Sequence, residues 1–366
     1  MRKKISYIAF LSILGLASIY FVSFDISPDS IQYKDGPHIF LENDSLVNIL
    51  SIDQEKDSFP VSNPEIKANF LKMGKKDLMK YLFRETIVAD TIKNEVQCVY
   101  EDVEKIFCIG DIHGEYDALV SLLKKHKIIS EDLNWRFGNG HVVFCGDVFD
   151  RGDKVTETLL FIYKLEQQAT CVKGKVHFLL GNHEMMALNG NLKYLNKKYK
   201  YIQDKLGVNY TYLYNENTLI GEWIRTKNTI VKINDLLFVH GGIHPDIPLR
   251  NYSLENINNY VRNYLTHKDF NQNALYLTGT NGPLWYRGYL DKDEKRLNMN
   301  DILCILKYYN AKKIIFAHTP VDRISSLYDG KLIAIDVPLT QKNGEGLLIQ
   351  EGKFLILTLN GNKKQL

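Results

Sequence analysis

Five short segments carry most of the side chains able to bind a metal or move a proton. They are Gly110-Asp111-Ile112-His113-Gly114, Gly146-Asp147-Val148-Phe149-Asp150-Arg151-Gly152, Gly181-Asn182-His183-Glu184, His240-Gly241-Gly242 and Ala317-His318-Thr319-Pro320. From them Asp111, His113, Asp147, Asn182, His240 and His318 offer carboxylate, amide and imidazole ligands without any cysteine. That donor mixture suits borderline or hard divalent ions such as Mn, Fe, Zn or Co. In paired-metal hydrolysis two ions sit about 3.5–4 Å apart. Asp147, in a central segment, is the candidate bridge between them. A lone Gly-Asp is usually a turn, and a lone histidine after a strand is usually a satisfied core or surface residue. Five such segments, each behind an apolar run, point to one site.

The elements that must position these residues can be read from the same chain. Apolar runs at Lys105 to Ile109, His141 to Cys145 and Lys175 to Leu180 read as strands, with helices predicted from Tyr116 to Lys125, Val155 to Gln167 and after Glu184. Further strands are expected at Thr229 to Ile233, Leu236 to Val239, Lys313 to Ala317, Leu332 to Ile335, Glu345 to Gln350 and Phe354 to Leu359. The alternation predicts an α/β core, and the late crowd of strands a second sheet packed on it. Ligands in open α/β sheets gather off the carboxyl ends of strands, where these segments fall. Glycines before Asp111, Asp147 and Asn182, and after His113 and His240, let the backbone turn sharply there.

Composition narrows the class. The 366 residues carry 46 basic and 43 acidic side chains, are 24% charged and 45% hydrophobic, and have a formal charge of +3. Such values exclude a wholly disordered chain and give no signature of a nucleic-acid binder. The five cysteines show no CxxC spacing, so a disulfide framework is not indicated, and Cys108 and Cys145, at the ends of apolar runs, read as buried thiols. Residues 1–24 stand apart. Arg2, Lys3 and Lys4 precede Ile5 to Phe24, twenty residues without a charge. As a helix such a run spans about 30 Å, the thickness of a bilayer core. It reads as a signal-anchor or transmembrane helix, and the basic flank places the rest outside the cytoplasm, on the periplasmic side. Residues 25–100 read as an extension with short strands at His38 to Glu42 and Leu46 to Ile52. A helix is expected over Ala68 to Arg84, with Phe70, Leu71, Leu78 and Leu82 as its apolar stripe. Lys193 to Lys205 interleaves lysines with tyrosines and reads as a solvated helix face.

Taken together, the segments resemble the calcineurin-like metallophosphoesterases, specifically the phosphoprotein phosphatase (PPP) family. GDxHG, GDxxDRG, GNHE and HGG are that family's signatures. Gly282-Pro283-Leu284-Trp285-Tyr286-Arg287-Gly288-Tyr289, with Trp135, Gly138 and Gly140, is similar to its Shewanella-like, bacterial-type branch. The resemblance covers about Glu101 to Leu359, and the catalytic domain is read as residues 101–366. It implies an αββα sandwich, two mixed sheets flanked by helices, and two divalent metal ions. Asp111, His113 and Asp147 would hold the first ion, and Asp147, Asn182, His240 and His318 the second. Arg151 would grip the substrate phosphate, with Arg287 as a second clamp. His183 would protonate the leaving oxygen, oriented by Asp150, while Glu184 supports the loop. The C-terminal signature of eukaryotic Ser/Thr phosphatases is absent, so their regulatory subunits are not implied.

The implied reaction is hydrolysis of phosphomonoesters, phosphoprotein Ser, Thr or Tyr among them, by direct attack of a metal-bridging hydroxide. Chemistry supports the division of labour. Paired ions lower the pKa of a water and neutralise phosphate charge. Arginine forks match phosphate oxygens, and a carboxylate-held histidine can donate a proton. The same core also serves dinucleoside polyphosphate or phosphodiester hydrolysis, with the pocket walls deciding. An inert metal-binding scaffold is a third reading, but it would lack a ligand, His183 or Arg151, and all are present.

Overall fold

Alternating side chains set the architecture. A computed structural model describes residues 33–43, 45–54, 66–83, 97–290, 296–340 and 342–366. Strands β1 (Asp35–Leu41), β2 (Leu46–Gln54) and β3 (Ile66–Gly74) form an antiparallel sheet of their own. Strands β4 (Val99–Tyr100), β5 (Lys105–Ile109), β6 (His141–Phe144), β7 (Lys175–Phe178), β8 (Ile230–Ile233), β9 (Leu236–Val239) and β10 (Lys313–Phe316) follow. The chain ends in β11 (Ser325–Leu327), β12 (Leu332–Ala334), β13 (Glu345–Gln350), β14 (Lys353–Thr358) and β15 (Lys363–Gln365). They make two mixed six-stranded sheets, ordered β11-β12-β10-β9-β8-β4 and β15-β14-β13-β5-β6-β7.

The two larger sheets pack face to face. In β5, Ile106 and Cys108 point between the sheets with Val143 and Cys145, meeting Val231, Phe238, Ile315 and Ile333 from the other sheet. Phe107 and Ile109 point the opposite way, with Val142, Phe144, Val176 and Phe178, toward the helices. The strands are apolar on both faces because both faces are covered, as the α/β reading requires. Helix Tyr116–Lys125 buries Ala118, Leu119, Leu122 and Leu123. Helix Val155–Cys171 is buried along most of its length, because β1 as well as β7 packs against it. Truncating a core ring such as Phe107 to alanine costs ~3–5 kcal/mol. Cys98, Cys108 and Cys145 are buried free thiols, while Cys171 and Cys304 are exposed.

Two expectations change. The described part of this stretch, residues 68–83, does not form one helix: β3 pairs with β2 from Ile66 to Gly74, and among these residues only Leu78–Phe83 is α-helical. Phe70 and Leu71, read as part of a buried stripe, lie on an edge strand and are 77% and 45% exposed. The apparent helical period arose from combining residues of two elements. The basic-tyrosine stretch is only partly solvated. Lys193, Tyr194, Lys197, Lys200 and Lys205 are exposed, but Lys198 and Tyr199 are buried in helix Lys197–Leu206. Among the described residues no helix is long and apolar enough to cross a membrane. The proposed anchor, residues 1–24, lies outside them.

Candidate metal centre and phosphate site

All five sequence segments leave the carboxyl ends of neighbouring strands. Asp111, Asp147 and Asn182 follow the parallel strands β5, β6 and β7, and His240 and His318 follow the parallel pair β9 and β10. The turns are tight. Asp147, Asp150, Arg151, His113 and His318 all adopt left-handed backbone angles, with φ between 48° and 68°. Such non-glycine conformations cost about 1–3 kcal/mol each and persist where the surroundings over-determine them. A Cβ on Gly181 would collide with Asp147 Oδ1, so only glycine lets the two loops approach.

Glu184 determines this backbone. One of its carboxylate oxygens accepts from Gly181 N at 2.7 Å and Asp147 N at 2.8 Å. The other accepts from Val148 N at 2.7 Å and Phe149 N at 3.2 Å. Burial and then the charge of Asp147 raise its pKa, while backbone donors oppose the rise. Its expected supporting role matches these contacts.

The donor atoms converge as a metal site requires. His113 Nδ1 donates to the Phe149 carbonyl at 2.7 Å, which leaves Nε2 as a lone pair. That buried nitrogen has no hydrogen-bond partner among the described residues and lies 3.6 Å from Asp111 Oδ2 and 3.9 Å from Asp147 Oδ2. His240 Nδ1 donates to the Cys145 carbonyl at 2.7 Å, turning its Nε2 into the site. There Nε2 is 2.9 Å from Asn182 Oδ1, 3.1 Å from His318 Nδ1 and 3.3 Å from Asp147 Oδ1. These are lone-pair atoms crowded together out of water, an arrangement that a cation relieves. The same field acts on a proton. Burial pulls the His240 pKa down, but Asp147 and Asp111 overrule it and hold it at about 10. Burial, then the neighbouring His240 charge, drives His318 down to about 2. Asp147 takes part in both clusters of close donors, with His113 and His183 on one side and His240 and His318 on the other. The residues present therefore fit divalent ions.

Around these donors stand the groups with other expected roles. His183 Nδ1 lies 2.6 Å from Asp150 Oδ2, and its Nε2 faces Asp147 Oδ2 at 3.8 Å. Both arginines are exposed at the mouth. The charge of Arg151 reaches His113, and that of Arg287 reaches His318. Arg287 also donates to Thr319 Oγ1 at 3.4 Å. Every sequence-predicted site residue thus falls within one region. Asp336 was missed. It is buried, its Oδ2 has no hydrogen-bond partner, and burial followed by the charge of Asp111 pushes its pKa up to about 8. The signal was present, since Asp336 also ends an apolar run, Leu332 to Ile335, but no glycine marks its turn. Tyr194, whose ring centre lies 5.3 Å from that of His183, was seen only as part of a basic-aromatic stretch.

The calcineurin-like phosphoesterase profile matches residues 104–322, most of this site-bearing region. The chain belongs to the calcineurin-like phosphoesterase family. It is a hydrolase of phosphoric esters, and its family's chemistry uses divalent metal ions. Its relatives place it on the Shewanella-like branch. It is 28% identical over 71% of its length to Shewanella-like protein phosphatase 1 of Plasmodium berghei (strain Anka), covering 75% of that protein. It is 25% identical over 70% of its length to Shewanella-like protein phosphatase 2 of Arabidopsis thaliana, covering 76% of that protein. Among solved structures, it resembles the cold-active protein-tyrosine phosphatase of a psychrophilic Shewanella species. That likeness has 32% identity and a TM-score of 0.77, and it covers 91% of this chain and 99% of the other.

Proposed function

We propose that this phosphoesterase hydrolyses phosphomonoesters, phosphoprotein side chains among them, with two divalent ions sharing Asp147 and no covalent phosphoenzyme. The observation that carries the reading is the membership of Asp147 in both donor clusters. When bound, such a pair activates a water and neutralises phosphate charge. Asp111, His113 and Asp147 would hold one ion, and Asp147, Asn182, His240 and His318 the other, Mn, Fe, Zn or Co being suited to these donors. The remaining work falls to the chain. Arg151 and Arg287, approaching from the His113 and His318 sides, offer planar forks to the phosphate oxygens. His183, held by Asp150 at 2.6 Å, gives its proton to the leaving oxygen. The names of the relatives support a phosphoprotein substrate. The uncharged run Ile5 to Phe24 supports display of the enzyme outside the cytoplasm on a membrane anchor.

The test is turnover of p-nitrophenyl phosphate with added Mn, followed by a panel of phosphoserine, phosphothreonine and phosphotyrosine peptides and diadenosine tetraphosphate. Asp147→Asn should abolish turnover, and preference for a phosphopeptide is expected. An active Asp147→Asn variant refutes the shared-carboxylate site. Preference for the dinucleotide moves the substrate to phosphoanhydrides, and trapping a phosphoenzyme refutes direct hydrolysis.

A further inference from the structure

Beneath the Asp150–Arg151 turn lies a buried charge cluster that the reaction itself does not use. Asp35, the first residue of β1, has a fully buried side chain. Its Oδ2 is 2.8 Å from His38 Nε2, and its Oδ1, without a hydrogen-bond partner, is 4.0 Å from Lys198 Nζ. Burial raises the pKa of Asp35, but His38 and Lys198 more than offset it and keep the carboxylate charged. The Lys198 side chain is 2% exposed, and its ammonium donates to the Asp153 carbonyl at 2.7 Å. The other carboxylate near it is Glu157, at 3.6 Å, which is 32% exposed.

Lys198 belongs to a short segment that grips the turn carrying Arg151. Arg151 N donates to the Tyr194 carbonyl at 3.1 Å, and Asn196 Nδ2 donates to the Arg151 carbonyl at 2.6 Å. The Tyr199 hydroxyl donates to the Asp153 carbonyl at 3.0 Å and accepts from Val155 N at 2.8 Å. The Asn196 side chain also caps helix Lys197–Leu206 by accepting from Lys198 N at 2.8 Å, so cap and grip are one structure. The grip must hold a strained backbone, because Asp150 and Arg151 have φ of 68° and 65°. A buried ammonium that loses its one fully buried countercharge is destabilised where it stands. It escapes by moving toward water, and here that movement would release the Asp153 carbonyl.

We propose that Asp35 and Lys198 are positioning residues for phosphate capture. The N-terminal sheet supplies the buried countercharge that keeps Lys198 on Asp153, and this holds Arg151 in the turn from which it reaches the phosphate. The proposal rests on Arg151 being a phosphate clamp. It gives β1, which contributes no group to the metal centre, a share in substrate binding.

The test uses the full chain and five variants: Asp35→Asn, Lys198→Met, the two combined, and Arg151→Ala with and without Asp35→Asn. The readouts are the inhibition constant for inorganic phosphate, KM and kcat for p-nitrophenyl phosphate, melting temperature, and amide exchange. Asp35→Asn and Lys198→Met should each weaken phosphate binding and raise KM by about tenfold, with a smaller change in kcat, as expected when a clamp is misplaced. Amides 151–155 should exchange faster while β5 and β6 keep their protection. In the Arg151→Ala background Asp35→Asn should weaken phosphate binding no further. A lowered melting temperature with unchanged phosphate affinity overturns the proposal, as does an Asp35→Asn effect that persists undiminished without Arg151. If a single variant folds poorly, the combined variant removes both buried charges together and must show the same local exchange. Should the wild-type chain bind no phosphate and turn over no ester, the phosphatase reading fails. Exchange at 151–155 then still decides whether Asp35 holds the turn.

Discussion

Glu184→Gln is the most searching change that alters a single atom type. The Glu184 carboxylate accepts four backbone N–H bonds, two on each oxygen, from Gly181, Asp147, Val148 and Phe149. A carboxamide of the same shape keeps one accepting oxygen. Its amide nitrogen must then face two buried N–H groups, whichever way it turns. Each unsatisfied buried donor costs about 1–3 kcal/mol, so the pair costs roughly 2–6 kcal/mol. Removing a buried charge near Asp147 returns part of this, because burial and Asp147 already disfavour the ionised form. A net loss of about 2–3 kcal/mol follows, a melting temperature lower by roughly 3–4 °C in a chain of this size. The affected amides lead from Asp147 to Asp150, so misplacement of both carboxylates should lower kcat at least about tenfold. Differential scanning fluorimetry and p-nitrophenyl phosphate kinetics on metal-loaded protein measure both quantities. A Glu184→Gln variant that melts and turns over like the wild type would falsify the claim that this carboxylate holds the loop.

Three further outcomes are expected. Asp150→Asn should lower kcat by about a hundredfold with little change in KM, because His183 loses the carboxylate that holds its ring in place; equal loss with a good phenolate leaving group and a poor alkoxide one would contradict leaving-group protonation. Exhaustive chelation should abolish turnover and lower the melting temperature, since ions that bind the folded chain stabilise it by mass action, and added Mn should restore both; a chelated enzyme with full activity would remove the metal centre from the reaction. His141 and His177, 3.0 Å apart, are kept neutral by burial and then by neighbouring positive charge, His141 being lowered to about 4 and His177 further. Both folded-state values lie below the unfolded one, so the stability they contribute is present above pH ~6.5 and is lost as pH falls toward about 4. Melting temperature against pH should therefore drop over that window, and the drop should shrink in His177→Phe.

The candidate site was legible in the sequence because it is built from local signals. Each candidate ligand lies at or just after the end of an apolar run, and glycine marks the turns beside Asp111, Asp147 and Asn182, so type, spacing and strand coincide. What was not legible depends on partners far along the chain. Asp336 shares the strand-end pattern but turns without glycine. Lys198 looks like a surface lysine until β1, more than 150 residues earlier, brings Asp35 to it. Phe70 and Leu71 joined Leu78 and Leu82 in a helical period because nothing local reveals nine-residue pairing of β3 with β2. Short amphipathic stretches carry two periods at once, and tertiary pairing decides between them.

The order in which the chain is made has a consequence for assembly of the centre. The six candidate ligands all precede Thr319, yet β5, which ends beside Asp111, is bordered on one side by β13. The Cys108 thiol meets the Leu347 carbonyl across 239 positions of sequence. A nascent chain that has just exposed His318 holds every donor but leaves that edge of β5 unpaired. Closing so distant a pair is slow relative to local helix and hairpin formation, and an open strand edge invites wrong partners meanwhile. Ion capture is therefore coupled to synthesis of β13: released chains that end between Asp336 and Glu345 should carry all the candidate ligands and no centre.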